Sequence, residues 1–285
     1  MIMRRVLAAL AVAVIAASAL QAQAPAPAAD VRKVLYNVAN ALGMLRGVQE
    51  EDSVMSIEFW GSGTMVDGGR EYRITKYYGT LGYDFPGMRV ELERTAGGAA
   101  PQREIQVVSG TYAWNEDKPG AGLVAGYGNA VPAMDAVNER LLRLWMMPFG
   151  AYKAAVAASS NTKVSVEGGR TVLSFPLTEA GVTGPAANVV VGALKGSPVK
   201  VTLNAQNRAE KVEVRYGGRV YETTYSDYGD LNEKDNKADI FFPSRIVQTV
   251  DGRMVLTLTI ERTNTYNPYV IMPVPESIQK VGSRQ

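Results

Sequence analysis

The feature that most restricts the fold of this chain is a change of hydrophobic period near residue 53. Before it, Val31, Val34, Leu35, Val38 and Leu42 recur at helical spacing, behind the capping residue Asp30 and ahead of Gly43, a helix stop. After it the period is two. Ile57 and Phe59 alternate with Glu58 and Trp60, and Met88, Val90 and Leu92 with Arg89, Glu91 and Glu93. Val199, Val201 and Leu203 alternate with Lys200, Thr202 and Asn204; Val212 and Val214 follow suit, as do Leu256, Leu258 and Ile260. Successive strand side chains point to opposite faces, so each run carries one apolar and one largely polar face, as in an antiparallel sheet covered on one side.

Turn chemistry separates the runs. Asp67-Gly68-Gly69, Gly168-Gly169, Gly217-Gly218 and Asp251-Gly252 are short hairpin signals. About eleven strands are predicted, near 54–66, 71–84, 88–96, 103–114, 163–167, 170–177, 199–205, 209–216, 219–228, 244–250 and 253–263. One helical insertion interrupts them. Pro132 opens it, Met134, Val137, Leu141 and Trp145 share a face, and Pro148 starts a second helix, where its missing N–H costs nothing. The Gly/Ala/Pro-rich stretch 179–197 reads as a flexible flap. So wide a sheet curls. The fold class expected is therefore α+β, mainly β: a strongly curved antiparallel half-barrel whose concave face is covered by the N-terminal helix and the mid-chain insertion.

The first residues read as a targeting segment. Arg4 and Arg5 precede the uncharged run from Val6 to Leu20, followed by small residues at Ala17-Ser18-Ala19 and Ala22-Gln23-Ala24. At 15 residues this run is shorter than the ~20 that span a bilayer core. The division expected is a signal peptide at 1–24, a Pro/Ala tether at 25–29, one β-rich domain at 30–278 and a tail at 279–285, in a periplasmic or secreted protein without a membrane span.

Composition removes much chemistry. The chain has no Cys and no His, so a disulfide framework, a thiolate nucleophile, a Ser-His-Asp triad and a His-bearing zinc site are all excluded. Lys plus Arg number 30 against 28 Asp plus Glu, and removal of Arg4 and Arg5 leaves the rest balanced. No basic cluster tracks a phosphate backbone, so no nucleic-acid partner is expected, nor any cofactor.

Two or three helices fill a wide half-barrel less completely than a second sheet would, which leaves room for an apolar guest. The residues expected to line that cavity are Ile57, Phe59, Val90, Leu92, Leu141, Trp145, Phe149, Leu203, Leu256 and Leu258. Arg245, at a strand start after Pro243-Ser244, is the expected rim charge for an acyl head group or a partner's carboxylate. Plain core packing is the competing reading for each apolar position.

The signal segment, the N-terminal helix, the antiparallel strands and the mid-chain helical insertion together resemble the periplasmic lipoprotein carriers LolA and LolB and their superfamily, over about 30–275. The resemblance implies a concave apolar cavity that shelters acyl chains or another hydrophobic ligand, with an acylated protein as partner. The chain is long for a LolA and lacks the cysteine that anchors LolB. Three segments, Arg140–Ala155, Val220–Tyr228 and Phe242–Ile260, also resemble an uncharacterised region upstream of metallo-β-lactamase-fold hydrolase domains in some secreted bacterial proteins. Without His, the metal motif of that hydrolase is not present here.

Other motifs carry less. Ser160-Asn161-Thr162-Lys163 has S-x-x-K spacing at a helix exit, without its partner motifs. Gly120-Ala121-Gly122 lacks a βαβ setting. Asp227, Asp230, Asn232, Asp235 and Asp239 form an oxygen-rich loop interrupted by Lys234 and Lys237. Glu91 and Glu93 alternate with Val90 and Leu92, which turns them toward water. The function expected is non-catalytic binding or carriage of a hydrophobic ligand. The alternatives are an envelope scaffold module with a filled core, including one accessory to a hydrolase, and a carboxylate-dependent glycan hydrolase.

Overall fold

The computed structural model describes residues 30–180, 188–234, 238–265 and 267–282. The stretches expected as signal segment and tether lie outside the described residues. Asp30 caps α1 (Val31–Ala41) by accepting a hydrogen bond from the Arg32 N–H at 2.9 Å. A small hairpin, β1 (Leu45–Arg46) and β2 (Glu51–Asp52), follows.

The chain then forms two meanders joined at the middle of one sheet. The first is β3 (Ser56–Asp67), β4 (Arg70–Gly82), β5 (Gly87–Thr95), β6 (Gln102–Ser109), β7 (Tyr112–Glu116) and β8 (Ala130–Pro132). The second is β9 (Lys163–Glu167), β10 (Arg170–Pro176), β11 (Pro198–Leu203), β12 (Ala209–Tyr216), β13 (Arg219–Gly229), β14 (Phe242–Val250) and β15 (Arg253–Asn264). All thirteen strands share one open antiparallel sheet, in which β15 pairs with β3 and the edges are β8 and β9. Thirteen exceeds the expected eleven for two reasons. The run 103–114 is broken by a tight turn at Gly110, whose φ of 54 suits glycine, and the short edge strand β8 carries no alternation to read.

This topology dictates where the helices go. The chain must travel from one edge of the sheet to the other between β8 and β9, and α2 (Val137–Met146) and α3 (Pro148–Ala157) make that crossing over the concave face. Pro148 stands in the first turn of α3, as its missing N–H requires. Helix α2 meets β5, β6 and β7 on one side and β12 on the other. Strands β5 and β12 are six inter-strand steps apart, about 29 Å in a flat sheet at ~4.8 Å per step. A helix is only ~10–12 Å wide, so the sheet must bend round it. Register shifts in β3, β4, β14 and β15 accommodate the bend.

The main core lies between helices and concave face. Phe242 stands between Phe59 and Phe149, with ring centroids 5.4 Å and 5.7 Å away. Phe59 lies flat over β4 because position 79 is glycine: a Cβ there would sit 2.2 Å from the Phe59 ring. A second cluster, unforeseen in the sequence, forms on the outer face. Ile105, Val107 and Trp114 turn outward there and are covered by Val270, Met272 and Ile278 of the C-terminal segment. Helix α4 (Glu276–Gly282) continues that cover, so the expected boundary at 278 falls inside a packed helix, while 283–285 lie outside the described residues. Among the described residues no helix is long and apolar enough to cross a membrane.

Candidate functional site

The two ends of the concave face differ. At the end where β4 turns into β5, the interior is solid. Trp145 is buried, its indole N–H donates to the Val190 carbonyl at 2.6 Å, and its ring lies 6.2 Å from that of Tyr83. Val189, Val191 and Leu194, from the described part of the expected flap, are buried against it; residues 181–187 lie outside the described residues. Lys153 of α3 is also buried here, ion-paired with Asp52 of β2 and 5.4 Å from the centre of the Tyr83 ring. Burial pushes the Asp52 carboxyl up from its usual range, against the opposing pull of Lys153.

At the opposite end, beneath the first turns of α2, a cavity of about 340 Å³ remains. Strand alternation supplies its floor: Met65 of β3, Tyr77 of β4, Val90 and Leu92 of β5, and Leu256 of β15. A second, smaller cavity of about 40 Å³ lies beside Leu142, Met146 and Thr223 of β13 and shares Glu139, Arg143 and Tyr221 with the first. Burial raises the Tyr77 phenol to about 12, with Arg143 opposing. Among the described residues its hydroxyl has no hydrogen-bond partner.

Charged residues form the rim. Arg94 continues the inward face of Val90 and Leu92 and reaches Asp67 at 2.9 Å and Glu104 at 3.4 Å, with its guanidinium 4.4 Å from the Tyr72 ring centre. Arg143 pairs with Glu139 one helical turn away at 2.6 Å and donates to the Gln106 side-chain oxygen at 3.0 Å. Arg140, one turn before Arg143 on the same helical face, is buried. It donates to the Val107 and Trp114 carbonyls at 2.8 and 2.6 Å and to the Asn115 side-chain oxygen, which stitches α2 to β6 and β7. Burial lowers its pKa to about 10, assisted by Arg143.

Of the apolar residues expected to line a cavity, Val90, Leu92 and Leu256 do so. Ile57, Phe59, Leu141, Trp145, Phe149, Leu203 and Leu258 belong to the packed main core. Arg245 is exposed on the outer face of β14, beside Thr224, Ser226 and Val247; the period of two sends its neighbours Ile246 and Gln248 inward instead. It therefore stands away from the cavity rim. Sequence reading missed Met65, Tyr77, Arg94, Glu104, Arg140 and Arg143. A legible signal existed for some of them: Arg94 sits two residues beyond Leu92 on the same strand face, and Glu139, Arg140 and Arg143 fall on one helical stripe.

The remaining motifs resolve into structure. Glu91 and Glu93 pair with Arg103 and Lys76 on the outer face. The Asp230 carboxylate accepts backbone N–H groups from Asn232, Ala238 and Asp239 and shapes its loop, while Asp235 lies outside the described residues. Among the described residues, no group of three or more His, Cys, Asp or Glu is placed to hold a metal ion. Ser160 lies in the turn after α3, where its hydroxyl accepts only a 3.4 Å hydrogen bond from the Asn161 amide.

Comparison of the chain with known protein families finds no match, and neither does comparison with curated proteins.

Proposed function

We propose that this protein binds a hydrophobic or amphiphilic ligand, without catalysis, in the cleft beneath α2. The observation that carries this reading is the cavity of about 340 Å³ with an apolar floor and a charged rim. Its volume stands at the lower end of the roughly 300–1,000 Å³ usual for small-molecule sites. One alkyl chain or one small ring system fits that space better than a bundle of acyl chains. The basic-then-apolar N-terminus supports a periplasmic or secreted setting, where the partner is a free amphiphile or an acylated protein. The rim also favours binding over chemistry, because its Asp67, Glu104 and Glu139 carboxylates are engaged with arginines.

Titration with the uncharged fluorescent probe N-phenyl-1-naphthylamine tests this. Saturable binding at one site per chain, lost in Leu92→Glu and weakened by the cavity-filling Leu256→Trp, is expected. Absence of saturable binding, together with lipid-free organic extracts of the purified protein, would remove the proposal. An envelope scaffold module is the second reading, favoured by the solid packing around Trp145 and Phe149. It predicts a protein partner captured equally well by the wild type and Leu256→Trp.

A further inference from the structure

Resting on the ligand-binding reading of the cleft, the charge pattern of its wall identifies the ligand's polar end. Seven ionisable Arg, Asp and Glu residues line the cavity: Asp67, Arg94, Glu104, Glu139, Arg140, Arg143 and Arg219. Their charges balance once Asp251 is counted, but the direct pairing is uneven, with two carboxylates on one arginine and none on another. Asp67 and Glu104 share Arg94, Glu139 holds Arg143, and Arg219 is held by Asp251 at 3.0 Å. Arg140 has no carboxylate partner among the described residues. It is also the most enclosed of the four arginines, with its residue 5% exposed, and its three acceptors are neutral oxygens.

A buried cation is costly unless an opposite charge compensates it. Among the described residues, the other cation buried beneath this sheet, Lys153, obeys that rule through Asp52. Arg140 departs from it, and the wall containing it faces open volume. Its charged neighbours are Arg143, which opposes its charge, and Glu104 and Glu139, which favour it from a distance while making their direct ion pairs with Arg94 and Arg143. The unpartnered Tyr77 hydroxyl adds a neutral donor on the floor of the same cavity.

We propose that the cleft selects an amphiphile with one anionic oxygen-acid head, a carboxylate or a phosphate monoester. The head compensates Arg140, with Arg143 and the Tyr77 hydroxyl as further donors, while the alkyl part lies on Val90, Leu92 and Leu256. Charge-assisted hydrogen bonds from arginine are stronger than neutral ones, and the planar guanidinium fork suits both head groups.

The experiment uses the intact protein and four probes of equal chain length: octanoate, octyl phosphate, octanol and octyltrimethylammonium, each displacing bound N-phenyl-1-naphthylamine. Octanoate and octyl phosphate are expected to displace it at concentrations about tenfold or more below octanol, with octyltrimethylammonium the weakest. The ratio between the first two distinguishes a carboxylate site from a phosphate site. Arg140→Gln, checked for fold by circular dichroism, is expected to bring octanoate to the level of octanol. Should that variant fail to fold, Arg140→Lys keeps the charge without the fork, and Arg143→Gln tests the neighbouring donor; a preference retained in the first and reduced in the second is expected. Equal displacement by octanol and octanoate in the wild type would overturn the anionic head while leaving an apolar cleft. Displacement by none of the four would overturn both.

Discussion

Two cations lie buried beneath the same curved sheet, and their surroundings divide the molecule into two ends. At the Trp145 end, Lys153 has Asp52 as partner, Tyr83 beside it and a filled interior around it. At the α2 entrance, Arg140 has three neutral acceptors, no carboxylate and a cavity alongside. A direct ion pair for the buried cation and dense packing around it go together at one end and are both missing at the other. One end thus fastens helices and the β1–β2 hairpin to the sheet, and the other is the end proposed to receive a ligand.

The sharpest way to break this contrast is to attack the fastened end. Lys153→Met leaves Asp52 buried without its partner and is expected to cost about 3–5 kcal/mol of unfolding free energy. Urea denaturation measures it, and a loss under ~1 kcal/mol would show the pair to be ornamental. Phe149→Ala should cost a similar ~3–5 kcal/mol by opening a cavity in packed aromatics. Leu92→Ala, beside existing empty volume, should cost less, about 2 kcal/mol, yet weaken probe binding more than Phe149→Ala does. The reverse ranking would mean that the ligand site lies in the aromatic core.

A pH titration sharpens the comparison. Tyr77 faces the cavity, and burial raises its phenol to about 12; Tyr225, whose hydroxyl donates to the Met146 carbonyl at 2.6 Å, is raised by burial as well. Each native pKa exceeds the unfolded value near 10. The stability gained by keeping them neutral is therefore complete below ~10 and declines as pH rises toward and through the folded values. For Tyr77 that window runs from ~10 to about 12. Phenolate absorbance, with Tyr77→Phe to assign the signal, should show a bound anionic amphiphile moving Tyr77 further up and leaving Tyr225 unchanged. The smallest effect is expected at the rim: Glu139→Gln removes an exposed one-turn ion pair and should change stability by less than ~1 kcal/mol. It should nonetheless tighten octanoate binding by freeing Arg143.

Much of the scaffold was legible because it rests on local rules. The period of two located eleven of the thirteen strands in the main sheet, counting the 103–114 run as one, and Asp30, Gly43 and Pro148 marked helix ends through their backbone chemistry. The site was less legible. Alternation places Ile57, Phe59 and Leu258 on the same inward face as Val90, Leu92 and Leu256, but it does not say how deeply the helices fill the trough above each. That depends on where the β8-to-β9 crossing leaves α2, a consequence of topology. Arg140 eluded a search for apolar lining because its proposed role rests on the absence of a direct carboxylate partner among the described residues. Arg245 was misplaced as a rim residue because proximity to a strand start says nothing about face, whereas the count from Ile246 does.

A crystal of the protein grown with 8-bromooctanoate gives the most direct test, since anomalous scattering from bromine fixes the tail and the map fixes the head. The carboxylate is expected within hydrogen-bond distance of Arg140 or Arg143, with bromine among Val90, Leu92 and Leu256. Bromine in the aromatic core near Phe149, or the chain lying along the outer face at Arg245 with the α2 cleft empty, would contradict the division of the molecule into a fastened end and a receiving one.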